Sequence, residues 1–192
     1  MEFRTSGRIA DLLHLYGCDE VLTDQQVCKA EARMGVPEGG GMTGVIGMLH
    51  CGMGPTVALR FDIDALPVRE CEELDHFPAQ EGFRSEHAGY MHACGHDGHI
   101  TVGLGTAKLL CQMREQLHGT VKFIFQPAEE GVGGARAIVE NGHLEDVDFL
   151  LAAHMYGGSE QHPCGICITA GHGLATTKLD VDFHGKASHA AA

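Results

Sequence analysis

The sequence has little positive charge. It contains 13 lysine and arginine residues against 26 aspartate and glutamate residues, which gives a formal net charge of -13. The basic residues are scattered singly along the chain, so no basic patch is available to bind phosphate groups. The composition therefore argues against DNA, RNA or an anionic membrane surface as a partner.

Long apolar runs are also missing. No stretch approaches the length that a membrane-spanning helix needs, and the first residues, Met1 to Thr5, lack the apolar region of a secretory leader. Eight cysteines occur at irregular spacings that match no disulfide framework. These absences favour a reduced, cytoplasmic protein.

The pattern of apolar residues predicts strands that alternate with helices. Strands are predicted over 43–49, 56–63, 121–125 and 149–155, and helices over 3–16, 97–117 and 133–141. The segments 18–41 and 66–90 are interpreted as loops. This alternation is typical of an α/β fold, with a mixed, mainly parallel sheet and helices on both faces.

The pattern changes after Gly171. Residues Thr176 to Phe183 alternate between apolar and charged side chains, which predicts a half-exposed strand of an antiparallel sheet. We place a domain boundary near Ala170 to Leu174. The prediction is one domain over residues 1–172 and the start of a second, α+β domain over residues 173–192.

Side chains that bind metals cluster at the ends of the predicted elements. Cys94 and His96 precede a predicted helix, Glu129 and Glu130 follow one strand, and His154 ends the next. Because the carboxyl ends of parallel strands meet at one edge of a sheet, we expect these side chains to lie together. Thiolate, imidazole and carboxylate groups are ligands that a divalent transition metal takes. We therefore predict a metal site built from Cys94, His96, Glu130 and His154.

The immediate surroundings of these ligands suggest further roles. Glu129 and Glu130 are adjacent and cannot point the same way along an extended segment, so one is expected to bind metal and the other to deprotonate water. The helix dipole is expected to lower the pKa of the Cys94 thiol. His92 and His99 are expected to form hydrogen bonds near the ligands. A closed structural zinc site is the alternative to this open, catalytic one.

At these residues the chain resembles the amidohydrolase branch of the M20 metallopeptidase family. The motifs that carry the resemblance are residues 59–67, 91–99, 126–131 and 185–189. The resemblance implies a zinc-exopeptidase-like fold and hydrolysis of the amide bond of an N-acyl or N-aroyl amino acid. Further segments are similar to members of this branch that hydrolyse p-aminobenzoyl-glutamate, so that substrate is expected, with hippurate-type and N-acetyl amino acids as alternatives.

The resemblance also implies a role for each site residue. It makes Cys94, His96, Glu130 and His154 the ligands of two zinc or manganese ions. It makes Glu129 the general base, and Asp64 a residue that orients a ligand or the water. His189 would reach the site from the lid domain, often that of a neighbouring protomer, and stabilise the oxyanion. A homodimer or heterodimer formed through the lid is therefore expected.

One departure from the family concerns length. Members of the family are longer than this chain, and their final metal-ligand histidine would lie beyond Ala192. We therefore expect an N-terminal fragment. The alternative to an active hydrolase is an inert metal-binding fragment, or a subunit that works only with a partner chain.

Overall fold

A five-stranded sheet forms the centre of the fold. The computed structural model describes residues 2–28, 43–73, 75–131 and 133–156, together with a few single positions between 165 and 185. Residues Met1–Tyr156 form one compact unit and Gly157–Ala192 a second. Among the described helices, none combines the length and the apolar character needed to cross a membrane.

The predicted helices and strands occur in the predicted order. The helices are α1 (Phe3–Tyr16), α2 (Phe77–Gln80), α3 (His96–Gln112) and α4 (Gly134–Glu140). The strands are β1 (Glu20–Thr23), β2 (Val45–His50), β3 (Thr56–Asp62), β4 (Thr120–Gln126) and β5 (Phe149–Ala152). The elements α2 and β1 are additional and lie within the segments interpreted as loops. The interpretation of residues 18–41 as loop is wrong for its first part, because β1 pairs there with β2. The strand predicted over Thr176 to Phe183 and the boundary near Ala170 to Leu174 lie outside the continuously described residues.

The mixed α/β architecture is confirmed by the strand pairing. The order in the sheet is β1-β2-β4-β3-β5. The β1–β2 and β2–β4 pairs are antiparallel, whereas the β3–β4 and β3–β5 pairs are parallel. Because β3, β4 and β5 run in the same direction, the segments that follow them emerge at one edge of the sheet.

Apolar side chains pack on both faces of this sheet. One core joins α1 and α3 to the rings of Phe61, Phe123 and Phe125. The other joins α4 to the opposite face of β2, β3 and β4. The prediction of helices on both faces is therefore confirmed.

A glycine lets α3 approach the sheet closely. A Cβ atom at Gly103 would lie 2.7 Å from the ring of Phe61 and 2.8 Å from that of Phe125. Real Cβ atoms essentially never make contacts this short, so glycine permits the observed spacing. The close packing brings the start of α3 to the edge where the parallel strands end.

Candidate metal centre

The predicted ligands lie at the ends of the three parallel strands. Asp62 ends β3 and Asp64 follows two residues later, Glu129 and Glu130 follow β4, and His154 follows β5. Cys94 and His96 reach the same edge from the start of α3. The turn between these two residues uses Gly95, whose φ of +83° suits glycine better than other residues. The structure thus brings together every predicted site residue except His189, which lies outside the described residues.

His96 is fully buried with one ring nitrogen directed into the site. Its Nδ1 lies 2.8 Å from the backbone oxygen of Asp64. Because a carbonyl oxygen can only accept, Nδ1 carries the hydrogen, and in the neutral ring Nε2 carries the lone pair. Nε2 has no hydrogen-bond partner among the described residues. A buried lone pair of this kind suits a metal ion.

His154 directs its Nε2 towards the thiol of Cys94. Its Nδ1 lies 2.7 Å from the backbone oxygen of Met155, so Nδ1 is again the donor. Its Nε2 lies 3.4 Å from Cys94 Sγ. Ligand atoms of Cys94, His96 and His154 all lie within 4.8 Å of one another, which is the spacing of groups that can share one ion.

The two glutamates enter from a constrained turn after β4. One ligand atom from each of His96, Glu129 and Glu130 also fits within 4.8 Å of the other two. Ala128, just before them, has a φ of +50°, a left-handed conformation that costs a non-glycine residue of order 1–3 kcal/mol. Strain of this size is held only where the surroundings fix the backbone.

Asp64 connects the glutamate turn to His96. Its Oδ2 accepts a hydrogen bond of 3.0 Å from the backbone N–H of Glu130. Its own backbone oxygen is the acceptor for His96 Nδ1. The side chain is buried, with 6% of the residue's surface exposed. Asp64 therefore touches two of the predicted ligand segments.

A second buried group next to His96 was not assigned from the sequence. The carboxyl of Asp62 contacts His99 Nδ1 and forms an ion pair of 2.8 Å with Arg60. Burial alone would raise the pKa of Asp62, but the hydrogen bond from His99 and the nearby positive charge of Arg60 outweigh it, and the pKa is lowered. The expected hydrogen bonding of His99 is thus confirmed, whereas His92 Nδ1 makes no hydrogen bond to the described residues.

The prediction that the pKa of the Cys94 thiol is lowered is wrong when only protein groups surround it. Burial raises the pKa of the thiol, and the hydrogen bond and charge of Glu130 raise it further, followed by the charges of Glu129 and Asp62. Burial and the neighbouring carboxylates therefore favour the protonated thiol. A divalent cation among the same groups would favour the thiolate, since a coordinating thiol gives up its proton.

Comparison with known proteins places these residues in a family. The model of the family described as Peptidase family M20/M25/M40 matches residues 58–191. One of the p-aminobenzoyl-glutamate hydrolase subunits of Escherichia coli strain K12 is 40% identical over 100% of this chain and 49% of its own length. The indole-3-acetyl-aspartic acid hydrolase of Enterobacter agglomerans is 41% identical, over 99% of this chain and 49% of its own length. The chain thus spans about half the length of these curated relatives.

Solved structures agree with this result. The YXEP protein of Bacillus subtilis, described as a dinuclear metal binding peptidase from the M20 family, has a TM-score of 0.65 and 39% identity, covering 80% of this chain and 37% of that one. The aminobenzoyl-glutamate utilization protein of Klebsiella pneumoniae has a TM-score of 0.62 and 34% identity, covering 81% of this chain and 39% of that one. The similarity therefore extends from the motifs to the fold.

Proposed function

Because the chain belongs to peptidase family M20/M25/M40, we propose that it supplies the metal-binding part of an amidohydrolase that cleaves N-acyl or N-aroyl amino acids. The observation that carries the proposal is the buried Nε2 of His96, which has no hydrogen-bond partner among the described residues and lies close to ligand atoms of Cys94 and His154. p-Aminobenzoyl-glutamate is the first substrate to test, because a relative that matches the whole chain is named for it.

The donor set fits a divalent metal ion. Cys94, His96, Glu130 and His154 would hold it, and the thiol favours zinc over manganese on grounds of softness. The dinuclear description of the Bacillus subtilis relative supports a second ion in the complete site. When bound, such an ion polarises a carbonyl oxygen and makes water easier to deprotonate.

Glu129 is the proposed general base. Its carboxylate takes a proton from the water that attacks the amide carbonyl, and returns this proton to the leaving nitrogen as the C–N bond breaks. Asp64 holds the turn that carries Glu130 and the ring of His96 through its two hydrogen bonds. His189 remains the proposed donor to the oxyanion, and the cytoplasmic setting and the lid-mediated dimer remain parts of the same proposal.

The second candidate is a subunit that needs further polypeptide before it turns over substrate. Its support is the coverage of 49% of the Escherichia coli relative, together with the exposure of β5. Three apolar side chains of this strand, Phe149, Leu150 and Leu151, are 60%, 55% and 55% exposed. Apolar side chains exposed on both faces of a strand favour a covering partner.

Metal analysis combined with an amide assay separates these candidates. The chain is purified without added metal, its metal content is measured, and release of p-aminobenzoate from p-aminobenzoyl-glutamate is followed. Metal with turnover supports the hydrolase, and metal without turnover supports the partner-dependent subunit. The absence of metal, or an unchanged metal content in Cys94→Ala and His154→Ala, contradicts both. Cys51→Ala and His14→Ala are the matched controls, because neither residue lies among the groups able to share an ion.

A further inference from the structure

The ring of His99 has a defined hydrogen-bond partner on each side. His99 is buried, with 2% of its surface exposed, and its Nδ1 faces a carboxyl oxygen of Asp62. Asp62 also pairs with Arg60, so its carboxylate accepts and Nδ1 donates. On the opposite side the backbone N–H of Met155 donates to His99 Nε2 over 2.7 Å. Since an N–H can only donate, Nε2 must carry the lone pair, and both contacts require the same tautomer.

The hydrogen bond between His99 and the Met155 N–H also restrains the preceding residue, His154. The amide that His99 accepts from is the peptide group that joins His154 to Met155. Fixing this peptide restricts the backbone of His154, whose ring lies 4.6 Å from that of His99, centroid to centroid. His99 also differs from His96 and His154, because its Nε2 lone pair is used by a backbone N–H.

Met155 also packs against a patch without side chains at the start of α3, formed by Gly95 and Gly98. A Cβ atom at Gly98 would lie 1.9 Å from the sulfur of Met155, and one at Gly95 would lie 3.4 Å from its Cβ. The Met155 side chain, in its observed conformation, therefore occupies space that a side chain at position 98 would fill. The backbone of Met155 is held by His99 and its side chain by this patch.

We propose that His99 is a positioning residue, anchored by Asp62, that together with Gly98 holds Met155 and thereby sets His154 for metal binding. This inference rests on the proposed function of the site. It assigns no direct ligation to His99. A histidine that served only to fill the core would tolerate loss of the Met155 hydrogen bond without an effect on metal affinity.

Two substitutions of His99 test its hydrogen bonds to Asp62 and to Met155 separately. In His99→Gln the amide oxygen reaches the place of Nε2 and can still accept from Met155. In His99→Asn the shorter amide reaches only the place of Nδ1, so it can donate to Asp62 but leaves the Met155 N–H unpaired. We expect His99→Gln to bind Zn²⁺ within about 3-fold of wild type, and His99→Asn to lose about 10- to 100-fold in affinity, the range seen when partners of metal ligands are removed.

Gly98→Ala tests the second contact. We expect it to weaken Zn²⁺ binding, and Met155→Ala in the same chain to restore part of the loss by removing the clash. Gly105→Ala is the matched control on the same helix, since a Cβ atom there meets nothing within 4 Å. Equal affinities in Gly98→Ala and Gly105→Ala would contradict the proposed fit.

Two measurements are made on all variants of the full chain: Zn²⁺ affinity, by titration against a chromophoric chelator, and hydrogen exchange at the Met155 amide. The inference is supported if exchange at this amide is slow in wild type and His99→Gln and fast in His99→Asn. It also requires that Zn²⁺ affinity is lower in His99→Asn than in wild type and His99→Gln. Unchanged exchange in His99→Asn, or equal Zn²⁺ affinities in the two His99 variants, overturns the inference. Failure of wild type to bind Zn²⁺ overturns the proposed function, and the positioning role with it, whatever the exchange shows.

Discussion

The behaviour of the three histidines at the site depends on which ring nitrogen carries the hydrogen. His96 and His154 both donate from Nδ1 to a backbone oxygen, so each presents Nε2 to the site. His99 presents its Nε2 to a backbone N–H instead. The sequence could select His96 and His154 from their places at element ends. It also predicted hydrogen bonding for His99, but it could not identify Met155 as a partner, because Met155 lies 56 positions away.

The role of Glu129 can be tested by a nearly isosteric change. We expect Glu129→Gln, in a preparation that hydrolyses amides, to retain its metal but to lose about two to four orders of magnitude in turnover, because the amide cannot accept the proton of the water. Metal content and steady-state turnover are measured together. Loss of metal would mean that Glu129 and Glu130 exchange roles, and near-normal turnover would rule out the general base.

At the scale of elements, the placement of the site depends on how closely α3 packs. We expect Gly103→Ala to destabilise the chain by about 1–3 kcal/mol, because the added methyl group overlaps the rings of Phe61 and Phe125. Urea denaturation measures this effect. Gly105→Ala, on the open side of the same helix, is expected to stabilise it by up to about 1 kcal/mol. Equal free energies of unfolding in the two variants would contradict this packing of α3 on the sheet.

The ends of α1 and α3 meet at a pair of thiols, and this contact should make stability depend on pH. Sγ of Cys18 lies 3.9 Å from Sγ of Cys111, and burial, followed by the charge and hydrogen bond of Cys111, raises the pKa of Cys18 from 9.0 to about 12. Between these values the unfolded chain has lost the thiol proton and the folded chain has kept it. The folded state therefore binds more protons, so its stability falls as pH rises.

The measurement is the free energy of unfolding in urea between about pH 8 and about pH 11, where the linkage slope is expected to be negative. Cys18→Ala should reduce this slope whatever its effect on absolute stability. Cys71→Ala, which removes an exposed thiol, should leave the slope unchanged. A slope that is the same in all three proteins would show that Cys18 titrates normally.

Most helices and strands were predictable from the sequence, including the short α4 and β5, but α2 and β1 lie in segments interpreted as loops. The bounds of α1 agree with the apolar stripe of residues 3–16, and β4 matches its apolar run. The strand β1 has only four residues and depends on its pairing with β2, which is distant in sequence. The helix α3 ends at Gln112, earlier than predicted, because a 3-10 turn over Arg114–Gln116 replaces its last turn.

At the scale of the whole molecule, the feature that remains to be explained is the exposure of β5. This strand is the last in the described sheet order and pairs only with β3 among the described strands. Leu150 lies opposite Ala58 and Leu151 opposite Leu59, so the two leucines point to opposite faces of the sheet. Apolar surface on both faces and a backbone edge without a partner among the described strands form a combination that promotes pairing with another chain.

We expect the 192-residue chain to self-associate through this strand. The double variant Leu150→Lys and Leu151→Lys places a charge on each face and should shift the chain towards monomer, because burying either ammonium group in an interface is costly. Light scattering at about 10 µM and above, where exposed strand edges begin to associate, gives the measurement. Leu15→Lys and Met53→Lys are the controls, since these side chains are 76% and 96% exposed but lie outside β5. A monomeric wild-type chain under these conditions would contradict this prediction, and so would control substitutions that shift the chain towards monomer as strongly as the double variant does. In either case β5 is not the surface through which the chain associates. Its exposure then no longer supports a partner-dependent subunit.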